Sequence, residues 1–353
     1  MLYLSLLKVS LPTTLAFFLG IGLTPFLTDW LYRRKMWKKR AGKIAPDGGE
    51  TPIFNRLHET RETGTPRMGG IVIWASVFCT VGFFWLLAEL WPETGKFNFL
   101  SRNQTWLPLF TLLVGALIGL LDDWRQVRAE QDVRHAGLPF GYRLALVTIL
   151  GLIGAYWFYV KLGLIAITIP FVGSLTIGWL IIPLFVLVMI ALFASGVIDG
   201  LDGLSGGVMA IIFATYTVIA FAQNQIDLAA FCGAVTGGLL AFLWFNIPPA
   251  RFYMSETGIL GLTTALTVVV FLTDSVATLP IIALPLVATV LSVIIQMLSK
   301  KFRGKKVFLV APLHHHFEAL GWPAYKVVMR YWVIGIIFAI IGLIITLVGG
   351  PKL

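Results

Sequence analysis

The sequence predicts an all-α integral membrane protein of about ten transmembrane helices, on three observations. Of 353 residues, 58% are hydrophobic and only 12% charged, with a mean hydropathy of +0.87, whereas a soluble globule carries about a quarter charged residues. Apolar runs of about 20 residues, the length a bilayer-crossing helix needs, recur from end to end of the chain. Lys and Arg gather in alternate loops between those runs. A single polytopic domain over 1–353 is therefore expected.

The runs fall roughly at 5–29, 68–91, 104–121, 142–161, 178–198, 206–223, 228–247, 257–273, 278–299 and 329–349. The first lacks a small-residue cleavage site before the basic run from Arg33 to Lys43, so it is read as a retained anchor and not a signal peptide. The second and seventh contain the two cysteines, Cys79 and Cys232, which argues against a disulfide or a Cys-based metal site. Between the fourth and fifth runs, 164–176 alternates around a central turn and reads as a short outward-facing hairpin. The spans near 206–223 and 257–273 are short and contain glycine.

Short cytoplasmic loops hold the Lys and Arg excess of a membrane protein. Loops 30–67, 122–143, 199–205, 248–256 and 300–328, with the adjoining Arg330, carry 22 of the 27 basic residues. That side is expected to be cytoplasmic, with both termini outside. All five histidines and the carboxylates at 122, 123, 199, 202 and 256 fall there too, so the chemistry is expected at that face. Acids at a membrane edge, not at the midplane, argue against a transporter. The net charge of +10 comes without a nucleic-acid motif, so anionic headgroups and phosphorylated substrates are the expected partners, with no nucleic acid.

Four constellations carry the candidate chemistry. Asp122 and Asp123 close the third apolar run, and acids at the edge of hydrocarbon are functional candidates. Neighbours on a helix point about 100° apart, so one acid can act while the other orients a neighbour or binds a cation. Asp199-Gly-Leu-Asp-Gly-Leu204 holds two acids three apart, expected to share one helix face, with glycines that permit close approach of a nucleobase or phosphate. In Phe245-Asn-Ile-Pro-Pro-Ala-Arg-Phe-Tyr-Met-Ser-Glu-Thr-Gly258, the residues Asn246, Arg251, Glu256 and Thr257 cluster beside Phe252 and Tyr253, whose rings could stack a base. His314, His315 and His316, near Lys300, Lys301, Arg303, Lys305 and Lys306, form a donor array for phosphate oxygens. Zinc is the competing reading, disfavoured because adjacent helical histidines diverge. The carboxylates together suit Mg²⁺, which bridges one or two acids to substrate phosphates.

These motifs, with Gly64-Thr-Pro-Arg-Met-Gly-Gly70, resemble the phospho-N-acetylmuramoyl-pentapeptide transferases, within the wider polyprenyl-phosphate N-acetylhexosamine-1-phosphate transferases of glycosyltransferase family 4. The resemblance covers most of the chain, and its most specific part is Pro-Leu-His-His-His-Phe-Glu318. It implies ten spans in the bacterial plasma membrane and a Mg²⁺-dependent transfer of phospho-MurNAc-pentapeptide from a UDP carrier to undecaprenyl phosphate. The products are lipid I and UMP, and a homodimer is a common assembly. Asp122 resembles the family's base on the lipid phosphate, with Asp123 beside it, and Glu256 stands where the family has a metal-binding Asp. Asp199, Gly200, Leu201 and Asp202 match the uridine site, Asn246 a motif Asn, Tyr253 the base-stacking aromatic, and His314, His315 and His316 substrate contacts.

Several positions depart from that pattern. Ser255-Glu256 replaces Gly-Asp, Gly196 and Ile198 replace an Asn and a Thr, and Arg67 replaces the Thr before Met-Gly-Gly. Arg61 stands for an upstream Lys, and Arg134 or His135 for the Lys after the Asp-Asp loop. The alternatives are a sibling transferase using another UDP-amino sugar and a non-catalytic relative that binds lipid phosphate.

Overall fold

The computed structural model describes residues 2–39, 63–129 and 137–350. Among them, in chain order, are α1 (Leu2–Arg33), α2 (Ile71–Leu90), α3 (Trp106–Arg128), α4 (Phe140–Tyr156), α5 (Ile181–Ala194), α6 (Leu204–Ala222), α7 (Ile226–Asn246), α8 (Ser255–Leu272), α9 (Leu284–Arg303), α10 (Leu313–Ala319) and α11 (Ala324–Gly349). All but the short α10 lie in the ten helical segments long and apolar enough to cross a bilayer. A π turn, Trp157–Lys161, prolongs α4, and one turn of helix, Leu279–Ile282, precedes α9. The expected hairpin is β1 (Ala166–Ile169) antiparallel to β2 (Gly173–Thr176), with Ala166 opposite Thr176.

The third span differs from expectation. The acid pair does not close it: α3 runs on to Arg128, so Asp122 and Asp123 lie inside the helix. The charged stretch after residue 121 hides its last two turns from a hydropathy reading. Those turns remain helical where they pack on the protein and need no apolar side chains.

Helices alternate in direction, which sorts the connections between the two ends of the bundle. One end holds the hairpin and both ends of the described chain: the Phe171 N–H donates to the Gly349 carbonyl at 2.9 Å, the Thr168 N–H to Asp274 Oδ1 at 2.9 Å, and Lys8 pairs with Asp227 at 2.6 Å. The other end gathers the segments around 63–70, 137–139, 199–203, 247–254 and 304–312.

The core is built on α6, α7 and α8, whose apolar side chains are almost wholly enclosed. Outer helices instead expose large apolar groups such as Phe18, Trp85, Ile149, Leu187 and Ile337, a surface suited to lipid. Small residues let helices approach in the absence of a hydrophobic drive between them. At Gly115 and Gly119 of α3, a Cβ would run into Thr264 Oγ1 and the Glu256 carbonyl oxygen of α8. Those two glycines bring the end of α3 against the start of α8.

Candidate active site at the start of α8

Three consecutive residues at the start of α8 each meet a different motif. The Ser255 N–H donates to Asp199 Oδ2 at 2.8 Å. Glu256 Oε1 accepts from Arg143 Nη1 at 2.5 Å. Thr257 donates its N–H (2.9 Å) and its hydroxyl (2.6 Å) to Asp123 Oδ2. The first amides of a helix have no carbonyl partner within it and carry partial positive charge, which favours carboxylates here.

Asp122 and Asp123 are 1% and 0% exposed, so each needs compensation. They point apart, as the helical angle requires. Asp123 Oδ1 accepts from Arg67 Nε at 3.0 Å and Nη2 at 2.9 Å. Asp122 accepts from the Leu138 N–H at 2.5 Å and Gln126 Nε2 at 2.7 Å, with Arg143 Nη1 3.6 Å away. Burial alone would lower the Arg67 pKa, but Asp123, with Glu256 and Asp199 beyond it, raises it above its usual value. The guanidinium therefore stays charged. Its loop is pinned to the same helix start: Gly69 N–H donates to the Tyr253 carbonyl at 2.8 Å, Gly70 N–H to Met254 at 3.2 Å, and Tyr253 N–H to Pro66 at 2.9 Å.

Asp199 and Asp202 do not share a helix face, contrary to the sequence reading. They lie in a turn between the 3-10 segment Ser195–Ile198 and α6, and Gly203 at φ +80° sets the turn's backbone against helical continuation. Asp199 also accepts from Ser205 Oγ at 2.6 Å, while Asp202 accepts from the Ala250 N–H at 3.3 Å. Leu201 is buried in the core. Asn246 braces this turn to the following loop, accepting from the Gly203 N–H at 2.9 Å and donating to the Phe252 carbonyl at 2.8 Å. Phe252 is fully buried beside Phe242 and Phe245 and offers no stacking face, whereas Tyr253 is half-buried.

The histidines sit on α10 and diverge. His314 and His315 are buried; His315 Nδ1 bonds Glu318 at 2.7 Å, and His316 Nδ1 accepts from the Leu309 N–H at 3.2 Å. A Cβ on Gly200 would lie 2.6 Å from His314 Nε2 and 2.8 Å from His315 Nε2. The first two histidines thus abut the 199–203 turn, while the third faces the loop after α9. Lys300, Lys301, Arg303, Lys305 and Lys306 are exposed around the end of α9.

Among the described residues no three His, Cys, Asp or Glu side chains close a metal cage by themselves. Both oxygens of Asp122 and of Asp123 already accept protein hydrogen bonds. Glu256, 26% exposed and held at Oε1 only by Arg143, is the carboxylate that fits a Mg²⁺ ion completed by substrate phosphates.

Arg143, Gln126 and Ser205 take parts that the sequence reading did not give them. Arg143 stands in the first turn of α4, where the helix dipole opposes a cation; that mismatch was the available signal of a waiting carboxylate. Arg61, Arg134, His135 and His58 lie outside the described residues.

Ten bilayer-length helices enclosing a carboxylate–arginine cluster at one end define a multi-pass membrane protein with a built polar site, and residues 105–274 match the family described as Glycosyl transferase family 4. Similar proteins span the whole length. One from Geobacillus sp. (strain WCH70) is 37% identical over 335 residues and one from Anoxybacillus flavithermus 34% over 333, in each case covering 94% of this chain and 95% of the relative. One from Bacillus anthracis is 36% identical over 337 residues. All three bear the name phospho-N-acetylmuramoyl-pentapeptide-transferase. The chain belongs to the phospho-N-acetylmuramoyl-pentapeptide-transferase family.

Proposed function

We propose that this chain transfers phospho-MurNAc-pentapeptide from its UDP carrier to undecaprenyl phosphate, at the cytoplasmic face of a bacterial plasma membrane, with Mg²⁺ at Glu256. A lipid-phosphate oxygen forms a bond to the sugar-bearing phosphorus, the bond from that phosphorus to the bridging oxygen breaks, and UMP leaves with that oxygen. The products are lipid I and UMP. The observation that carries this reading is the convergence of Asp123 and Asp199 on the helix start that bears Glu256, with Arg143 lying between Glu256 and Asp122, in a chain related to those transferases over 94% of its length.

Phosphoryl transfer relies on positioning and charge stabilisation more than on covalent help from the protein. In this reading Asp122, held by Gln126 and the Leu138 amide, faces the lipid phosphate, and Asp123 keeps α3 and α8 in register. Glu256 would hold the Mg²⁺ ion, which would supply positive charge to the diphosphate. Asp199, Gly200, Leu201, Asp202 and Asn246 shape the uridine pocket, Tyr253 stacks the base, and His314, His315 and His316 reach the rest of the donor.

The test is UMP release by purified protein in detergent, given undecaprenyl phosphate, Mg²⁺ and either UDP-MurNAc-pentapeptide or UDP-N-acetylglucosamine, with Glu256→Gln as control. Release from the muramoyl donor alone, lost in the control, is the expected result. Release from the other sugar would reassign the donor, and release from neither would make the chain a non-catalytic lipid-phosphate binder.

A further inference from the structure

The two arginines of the site are held differently. Arg67 directs both Nε and Nη2 onto Asp123 Oδ1, at 3.0 and 2.9 Å, against a carboxylate that is 0% exposed. Such a pair cannot part without leaving a buried charge alone. Arg143 meets Glu256 through Nη1 alone, at 2.5 Å, with side chains 20% and 26% exposed. Its second acidic neighbour, Asp122 Oδ2, is 3.6 Å away and already bonded to Gln126. Its Nε is buried and has no hydrogen-bond partner among the described residues. Arg143 is therefore a cation with a buried, unpartnered donor, fastened by one partly exposed hydrogen bond.

We propose that Arg143 is a resident counter-cation: it holds Glu256 while the site is empty, competes with the divalent metal for that carboxylate, and passes to the donor's phosphates once displaced. The inference rests on the reading of Glu256 as the metal carboxylate. A guanidinium and a divalent ion repel one another, so Oε1 cannot serve both at full strength. The freed guanidinium is suited to its second partner, because its planar array of donors matches phosphate oxygens in pairs. The charges facing Arg143 are Glu256 from α8 and Asp122 from α3, and Arg67 lies beyond Asp123. Without Arg143, Glu256 would lie open to any cation; with it, the metal binds well only when phosphates arrive to receive the arginine. The pair thus makes metal binding and donor binding cooperative.

The test uses the full chain in detergent, with Mn²⁺ as an EPR-visible probe and UDP as the diphosphate, and thermal melting to confirm that each variant is folded. Arg143→Gln is expected to bind Mn²⁺ about tenfold more tightly than the parent without nucleotide, and UDP about tenfold more weakly. Arg143→Lys, which keeps the charge, is expected to leave Mn²⁺ affinity near the parent's, and it decides the matter if the Gln variant does not fold. There, the parent's affinity supports the proposal and tighter binding overturns it. Mn²⁺ affinity unchanged or weakened in Arg143→Gln, while Glu256→Gln abolishes binding, overturns the proposal alone. Mn²⁺ binding undiminished in Glu256→Gln overturns the metal assignment beneath it.

Discussion

Thr257 grips Asp123 twice, by its backbone N–H at 2.9 Å and by its hydroxyl at 2.6 Å, both on Oδ2. Arg67 takes the other oxygen. One wholly enclosed carboxylate thereby joins the 63–70 segment, α3 and α8, residues that lie 56 and 134 positions apart from it.

Removing the cation from that junction leaves Asp123 unpaired. Arg67→Met is expected to destabilise the folded protein by about 3–5 kcal/mol, read as a lower melting temperature in detergent. Asp123→Asn in the same chain should recover part of the loss, because the uncompensated charge is gone. Equal melting temperatures for the parent and Arg67→Met would show that the pair contributes nothing.

Ser255 occupies φ +57°, where a residue with a Cβ is strained, and its hydroxyl is buried with no partner among the described residues. Ser255→Gly removes both features and keeps the amide that bonds Asp199. It is expected to stabilise the protein by about 1 kcal/mol, with UMP release retained. A lower melting temperature would contradict this account of the backbone.

Gly200 is bare because two imidazoles lie against it. Gly200→Ala must displace α10 from the turn, so donor turnover is expected to fall by about tenfold or more. Full activity in this variant would separate the histidines from donor binding.

Asn246 both accepts and donates, and only the amide can do so. Asn246→Asp keeps the acceptor for Gly203 but sets a carboxylate oxygen against the Phe252 carbonyl, and a cost of about 1–3 kcal/mol is expected. Since the brace shapes the 199–203 turn, KM for the UDP donor should rise more than kcat falls. The reverse split would place Asn246 at the reacting phosphates.

The bundle was legible in the sequence because each crossing requires one uninterrupted apolar run, and a run such as 178–198 announces itself without any knowledge of its neighbours. The motif residues were legible as types, since two acids beside two glycines are unusual in hydrocarbon. Their pairing was not. Arg143 and Glu256 are 113 positions apart, and no local pattern records which cation crosses to which acid. The reading of Asp199 and Asp202 as one helix face failed because the spacing of three fits a turn as well as a helix, and Gly203 decided for the turn. Phe252 looked like a surface aromatic beside polar neighbours, but its burial depends on Phe242, which belongs to the preceding helix.

The three successive residues at the head of α8 act as a common address for segments that never touch one another in sequence. Substituting any one of them alters at most that residue's own contact. Inserting or deleting one residue there turns the helix by about 100° and shifts it by about 1.5 Å, which misdirects all three contacts together. Shuffled chimaeras between this chain and its relatives should therefore tolerate crossovers within the lipid-facing helices and fail when the junction falls between 254 and 258, however similar the two parents are at that point.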